Sequence, residues 1–217
     1  MGQLFMMTMR TRSQFQNSGR ASHGFSLVEL VIVTAAVAIA TAMAVPVIVN
    51  ANNTYQLRNA TVELASMLQR SRLYCIQNNK YTAIQTNSAA INTSPIGAVV
   101  FLDVNSVGSG GTPTAAYPQV TLPANITQTN ASAPSISSST LGFSSAQAPP
   151  AYFNGRGLPC TVVSGVCTNW STANTAPVGY IYYLKQVSNG TRWSAVSITP
   201  GGQIKTWMYN GSTWTNR

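Results

Sequence analysis

The sequence predicts an α+β fold: a long N-terminal helix, membrane-spanning in its first half, packed on an antiparallel β-sheet. Three observations carry this. The apolar run from Leu30 to Val49 is twenty residues, about 30 Å of helix, enough to cross a bilayer core. Past Pro46 a helical stripe resumes, with Leu57, Ala60, Leu64, Met67/Leu68, Ser71 and Cys75 recurring every three or four residues. Beyond about Asn78 the vocabulary changes to β-branched and aromatic residues separated by turns.

Taken in order, residues 1–24 are polar and hold Arg10, Arg12 and Arg20 but no acid. The positive-inside rule puts them in the cytoplasm as a leader, with the C-terminal bulk periplasmic or extracellular. Residues 25–49 form the membrane segment and 50–217 the exported globular domain. The segment opens on one carboxylate, Glu29, after which no charge appears until Arg58. A charged acid costs about 2.5–3.5 kcal/mol at mid-span and less near the edge, so Glu29 is a functional candidate by default. An ordinary signal peptide needs a shorter apolar stretch, roughly 7–15 residues, and a small-x-small cleavage site. Ala42-Met43-Ala44 is a weak match to that site, so an exported or anchored β-domain with no further role stays an alternative.

The two helical stretches join into one helix of about fifty residues, about 80 Å long, with a bend expected at Pro46. Arg58 and Arg72 lie beside the apolar stripe and Arg70 roughly opposite it, as in a half-exposed helix on a sheet. Strands are predicted at Tyr81–Thr86, Ile96–Leu102, Gln119–Leu122, Val178–Lys185, Arg192–Ile198 and Gln203–Tyr209. Ser188-Asn189-Gly190 and Pro200-Gly201-Gly202 are hairpin turns, which makes the last three strands an antiparallel meander. Residues 104–150, rich in Ser, Thr, Ala and Pro, read mostly as surface loop, with a short strand near Ser139–Phe143 or Tyr152–Phe153.

Formal charge is +9, and +6 without the three leader arginines. The acids are Glu29, Glu63 and Asp103, and none follows Asp103, so the C-terminal half carries a positive field suited to DNA or phospholipid headgroups. A weakly basic domain that merely stays soluble has the same composition. Cys160 and Cys167 bracket six residues and are expected to form a disulfide in an oxidising compartment, worth about 2–3 kcal/mol. Cys75 lies on the helix stripe and reads as a small buried thiol. Enzymatic chemistry is not expected: His23, the one histidine, lies in the leader, and neither the serines nor Cys75 has a base. No cofactor or metal is expected either. Asp103-Val-Asn105 faintly resembles a calcium loop, but one aspartate is too few ligands, and a turn-capping pair is simpler.

Gly24-Phe-Ser-Leu-Val-Glu29, the apolar run behind it and Pro46 together resemble the N-terminus of type IV prepilins and type II secretion pseudopilins. The resemblance implies cleavage after Gly24 by a prepilin peptidase and N-methylation of Phe25. It also implies that Glu29 registers each subunit by neutralising the Phe25 amine of a neighbour, and that Pro46 bends the helix. Further segments resemble the FimT/GspH-type minor pilins. These are Leu68-Gln-Arg-Ser-Arg-Leu-Tyr-Cys-Ile-Gln-Asn-Asn79, Val100-Phe-Leu-Asp-Val-Asn-Ser-Val-Gly108, and the glycine turns Phe153-Asn-Gly-Arg-Gly157 and Ile198-Thr-Pro-Gly-Gly202.

That family implies a long helix on an antiparallel sheet. It also implies a pilin or pseudopilin subunit in the inner membrane before assembly, whose partners are the peptidase, other subunits and lipid. A major, self-polymerising pilin is a further alternative. Some FimT-like members take up DNA through a Gly-Arg-x-Arg turn. The matching stretch here, Gly202-Gln203-Ile204-Lys205, replaces both arginines and loses bidentate phosphate contacts. Lys185, Arg192, Lys205 and Arg217 remain as a candidate DNA patch, with Trp207 and Trp214 for base stacking. The plainer reading makes Trp193, Trp207 and the tyrosines at 180, 182 and 183 sheet-packing residues.

Overall fold

The computed structural model describes residues 26–87, 99–104, 116–163, 166–168, 176–187 and 192–216. Helix α1 runs from Leu27 to Asn78 with Pro46 inside it. It ends where its sequence can end it. Asn79 takes the left-handed conformation (φ 48°), and Lys80 N–H and Asn79 N–H close back on the carbonyls of Cys75 and Ile76. That is the paired-bond C-cap in which Asn substitutes for Gly. By contacts the chain divides into two compact units, Met1–Pro46 and Val47–Arg217. The described part of the first is apolar helix alone.

In the second unit, α1 from Leu57 onward packs on two antiparallel sheets rather than the single one expected. The first sheet has the strand order β3-β2-β1-β6-β7-β8, built from Thr82–Asn87 (β1), Val99–Asp103 (β2), Gln119–Thr121 (β3), Ala151–Phe153 (β6), Pro159–Val163 (β7) and Val166–Thr168 (β8). The second runs β12-β11-β10-β9-β4, from Ile126–Gln128 (β4), Val178–Gln186 (β9), Trp193–Ile198 (β10), Ile204–Tyr209 (β11) and Trp214–Asn216 (β12). A further strand, Ser145–Gln147 (β5), pairs in parallel with the start of β9, while β4 pairs with its end. At nine residues, β9 is long enough for two short strands to share one edge. The predicted meander β9-β10-β11 forms, in full antiparallel register.

The main core lies where α1 meets both sheets. Leu57, Ala60, Leu64, Leu68 and Cys75 pack with Ile84, Val100, Leu102 and Phe153 of the first sheet and Tyr180, Tyr182, Leu184, Val196 and Ile198 of the second. Two tyrosines of β9 fasten the sheets together. Tyr182 donates its hydroxyl proton to the Ile84 carbonyl at 3.0 Å and accepts from Ala151 N–H at 3.1 Å. It thereby bridges the β1 and β6 residues that face each other in register. Tyr180 donates to the Cys160 carbonyl of β7 at 2.7 Å. Burial pushes both phenols far above their ordinary pKa, so they remain proton donors at any physiological pH.

In the 104–150 stretch the strand predicted at Gln119–Leu122 forms as β3, and the described residues beyond it depart from the expected surface loop. They supply β4 and β5, and near Ser139–Phe143 a one-turn helix, α2 (Ser138–Leu141), capped by Ser137 and Gly142. The strand of the expected pair is β6, at Ala151–Phe153. Ile136 and Leu141 are buried in a second core against Ile181, Tyr183, Trp193, Ala195 and Trp207, on the face of the second sheet turned away from α1. A polar segment with few apolar residues thus folds by covering an aromatic sheet face that already exists. The region around Cys160–Cys167 forms the β7–β8 hairpin, with Val162 opposite Cys167.

Replacing Tyr182 by Phe leaves the Ala151 N–H and the Ile84 carbonyl buried without their bridge. The expected cost is about 1–3 kcal/mol, read as a lowered unfolding midpoint of the full chain in mild detergent. An unchanged midpoint would remove Tyr182 from this role.

Candidate functional site: an unburied apolar helix

The start of α1 is set by Leu30 N–H bonding to the Ser26 carbonyl, and Glu29 sits in the first turn, where helix N-termini favour negative charge. Every residue from Leu27 to Val49 is exposed. Leu27 is 78% exposed, Ile32 63% and Ile48 65%, so no described residue covers this surface. Apolar area left in water forgoes about 25 cal/mol per Å², which a soluble domain would recover by folding the helix inward. The span is instead suited to lipid. Thr34 donates to the Val31 carbonyl, and Thr41 to the carbonyls of Val37 and Ala38, so its hydroxyls are satisfied within the helix. Among the described residues Glu29 has no hydrogen-bond or ion-pair partner. The expected processing residues Gly24 and Phe25 lie outside the described residues.

The helix end and the two glycine turns singled out in the sequence converge in space. Arg72 Nε donates to the Gly157 carbonyl at 2.9 Å. Gly157 (φ 71°) and Gly202 (φ 77°) both need the left-handed region. A Cβ on Gly202 would sit 2.8 Å from the Gly157 carbonyl oxygen, and one on Gly155 would sit 2.5 Å from Asn79 Oδ1. The β6–β7 turn, the β10–β11 turn and the C-terminal end of α1 are therefore locked at one node. Its geometry is structural: close backbone approach around a part-buried guanidinium.

The four candidate DNA-binding residues are not gathered into one patch. Lys185 and Lys205 share the outer face of the second sheet, opposite Trp193 and Ser197 of β10 respectively. Lys185 Nζ lies 5.3 Å from the centre of the Trp193 ring, a cation–π contact. Arg192 turns the other way, donating to the Asn50 carbonyl at 2.9 Å and to the Thr54 hydroxyl of α1. Arg217 lies outside the described residues. Trp207 is buried, with its indole N–H on Ser197 Oγ at 2.8 Å, so it offers no stacking face. Trp214 packs on Tyr183 and Tyr209. The plainer reading of these aromatics as packing residues matches the structure.

Asp103 is buried and accepts from Gln85 Nε2 at 2.6 Å. Asn105 lies outside the described residues, among which no group of three or more His, Cys, Asp or Glu is placed to hold a metal. Cys160 and Cys167 are joined as a disulfide across the β7–β8 hairpin. Cys75 is free and buried, with Sγ 2.8 Å from Thr82 Oγ1. Burial pushes its thiol pKa up, and the Thr82 hydrogen bond only partly opposes this.

No protein-family model matches the chain, and no curated protein does so significantly. Among solved structures it is similar to the type IV minor pilin FimU of Pseudomonas aeruginosa, at 16% identity and a TM-score of 0.42, covering 75% of this chain and 94% of that one.

Two outcomes follow from this geometry. Gly202→Ala is expected to destabilise the globular unit by more than about 1 kcal/mol, seen as a lowered melting temperature. An unshifted melting temperature would mean that the node is loose. Iodoacetamide is expected to leave Cys75 unlabelled in the native chain and to label it stoichiometrically in denaturant, as checked by intact mass.

Proposed function

We propose that this chain is a minor pilin or pseudopilin subunit, cut after Gly24 by a prepilin peptidase and assembled into a type IV pilus or a type II secretion pseudopilus. One observation carries the reading. A continuous helix leaves Leu27–Val49 uncovered by any described residue, with Glu29 as the only charge in that span, while the same helix from Leu57 onward is the centre of a folded core. An anchor alone needs no carboxylate in its first turn. A subunit that moves from lipid into a bundle of identical helices has a use for one, because an unpaired carboxylate in lipid is relieved by meeting the free amine of a neighbouring Phe25. In this reading the N-terminus faces the cytoplasm, the globular unit lies in the periplasm, and a bend at Pro46 adapts the helix to its neighbours. The helix core, sheet packing and disulfide suit a scaffold rather than a catalyst. A DNA-binding variant of this role gains no support from the arrangement, because its candidate cations fall on opposite sides of the second sheet.

Expressed with a prepilin peptidase, the chain should yield a mature protein that begins at N-methylated Phe25, and without the peptidase it should stay uncut. Mass analysis that found no cut, or a cut near Ala44, would overturn the proposal. Glu29→Ala should keep this cleavage but lose at least tenfold of its incorporation into sheared fibres. Wild-type incorporation of the mutant would sink the registering role.

A further inference from the structure

Arg58 and Arg192 wall a cavity of about 310 Å³ between α1 and the β11–β12 hairpin, over a floor of Leu57 and Met208 and beside Thr54 and Thr215. Neither arginine has an acidic partner among the described residues, and none of the three acids, Glu29, Glu63 and Asp103, lines the cavity. Arg192 is held in place. Its Nη1 is spent on the Asn50 carbonyl and the Thr54 hydroxyl, and its other nitrogens make no hydrogen bond among the described residues. Arg58 is exposed and likewise unbonded there. Two guanidinium groups with free donors, with no carboxylate among the described residues that line the cavity, above an apolar floor, form a site for a phosphate that carries an apolar body.

Position along the helix narrows the source of that phosphate. Thr54 lies five residues past Val49, the last residue of the apolar run, which is about 7–8 Å of helix rise. The polar layer on each side of a bilayer core is about 5–8 Å deep. Helical side chains lean toward the N-terminus, which brings Arg58 back toward the same level. We infer that this cavity binds the headgroup phosphate of an anionic phospholipid while the apolar helix is embedded. Arg192 is the fixed donor, Arg58 the mobile one, and Leu57 with Met208 receives the glycerol end. The inference rests on the membrane segment proposed above, and it adds a ligand that must be released when the subunit leaves the bilayer.

The test uses the full chain purified in a neutral detergent and titrated with short-chain phosphatidylglycerol, short-chain phosphatidylcholine or inorganic phosphate, with retention read by native mass spectrometry. Phosphatidylglycerol should be retained, and retention should weaken at least tenfold in Arg58→Gln and in Arg192→Gln but not in Arg70→Gln, a helix arginine outside the cavity. Because Arg192 also braces α1, Arg58→Gln decides the matter if the other variant misfolds. Full retention in Arg58→Gln, or equal retention of phosphatidylcholine, would overturn the site. Inorganic phosphate binding as tightly as the lipid would overturn the lipid and leave a free-anion site. An oligonucleotide that displaced the lipid at equal phosphate concentration would overturn it in favour of nucleic acid. Alkaline extraction of the expressed chain from cell membranes separates the two levels. Release into the supernatant would refute the membrane reading itself, whereas a retained chain with Arg58-independent lipid binding would refute only this cavity.

Discussion

The fold depends on a phenol hydroxyl placed where two sheets and a helix would otherwise trap unpaired backbone. Tyr182 lies on the core face of β9 under α1, and its hydroxyl takes up one donor and one acceptor of facing β1 and β6 residues. A buried N–H or carbonyl without a partner costs about as much as several well-packed methylenes, so the sheets meet only in the register that lets the ring reach. Tyr180, two residues earlier on the same face, repeats the arrangement with β7. These two contacts let one helix face serve both sheets as a common floor.

Arg72 and the glycine turns apply the same logic at the far end of the core. The β6–β7 and β10–β11 hairpins belong to different sheets, yet their backbones approach within contact distance against one guanidinium. A side chain at Gly202 would push these turns apart, and one at Gly157 would run into Ile76 and Arg72 of α1. The disulfide then pins the neighbouring β7–β8 hairpin. The globular unit is thus braced at several points around α1.

That helix is shared between two solvents. Up to Val49 its surface is unburied and its hydroxyls are satisfied internally, and from Leu57 onward one face is fully packed. The few residues between carry three asparagines and Thr54, beside which the cavity of Arg58 and Arg192 opens. Charge enters the helix only where the apolar surface has ended, Glu29 at its first turn excepted.

The sequence by itself determined the helix, its apolar half, its end near Asn78, the disulfide pair and the β9-β10-β11 meander. Each of these is written in local signals: an unbroken apolar run, a period near 3.6, an Asn able to adopt positive φ, and glycine turns at fixed offsets. The uncovered state of Leu27–Val49 and the isolation of Glu29 were legible for the same reason. Only the tertiary structure decided that there are two sheets, that Ile136 and Leu141 are core, and that Trp207 is buried. It alone sent Arg192 to α1 while Lys185 and Lys205 stayed on the opposite face. A polar stretch such as 130–143 carries no period of its own and is ordered by the aromatic surface it covers. A charged side chain at a strand end is aimed by register and by what lies across from it, which no local pattern encodes.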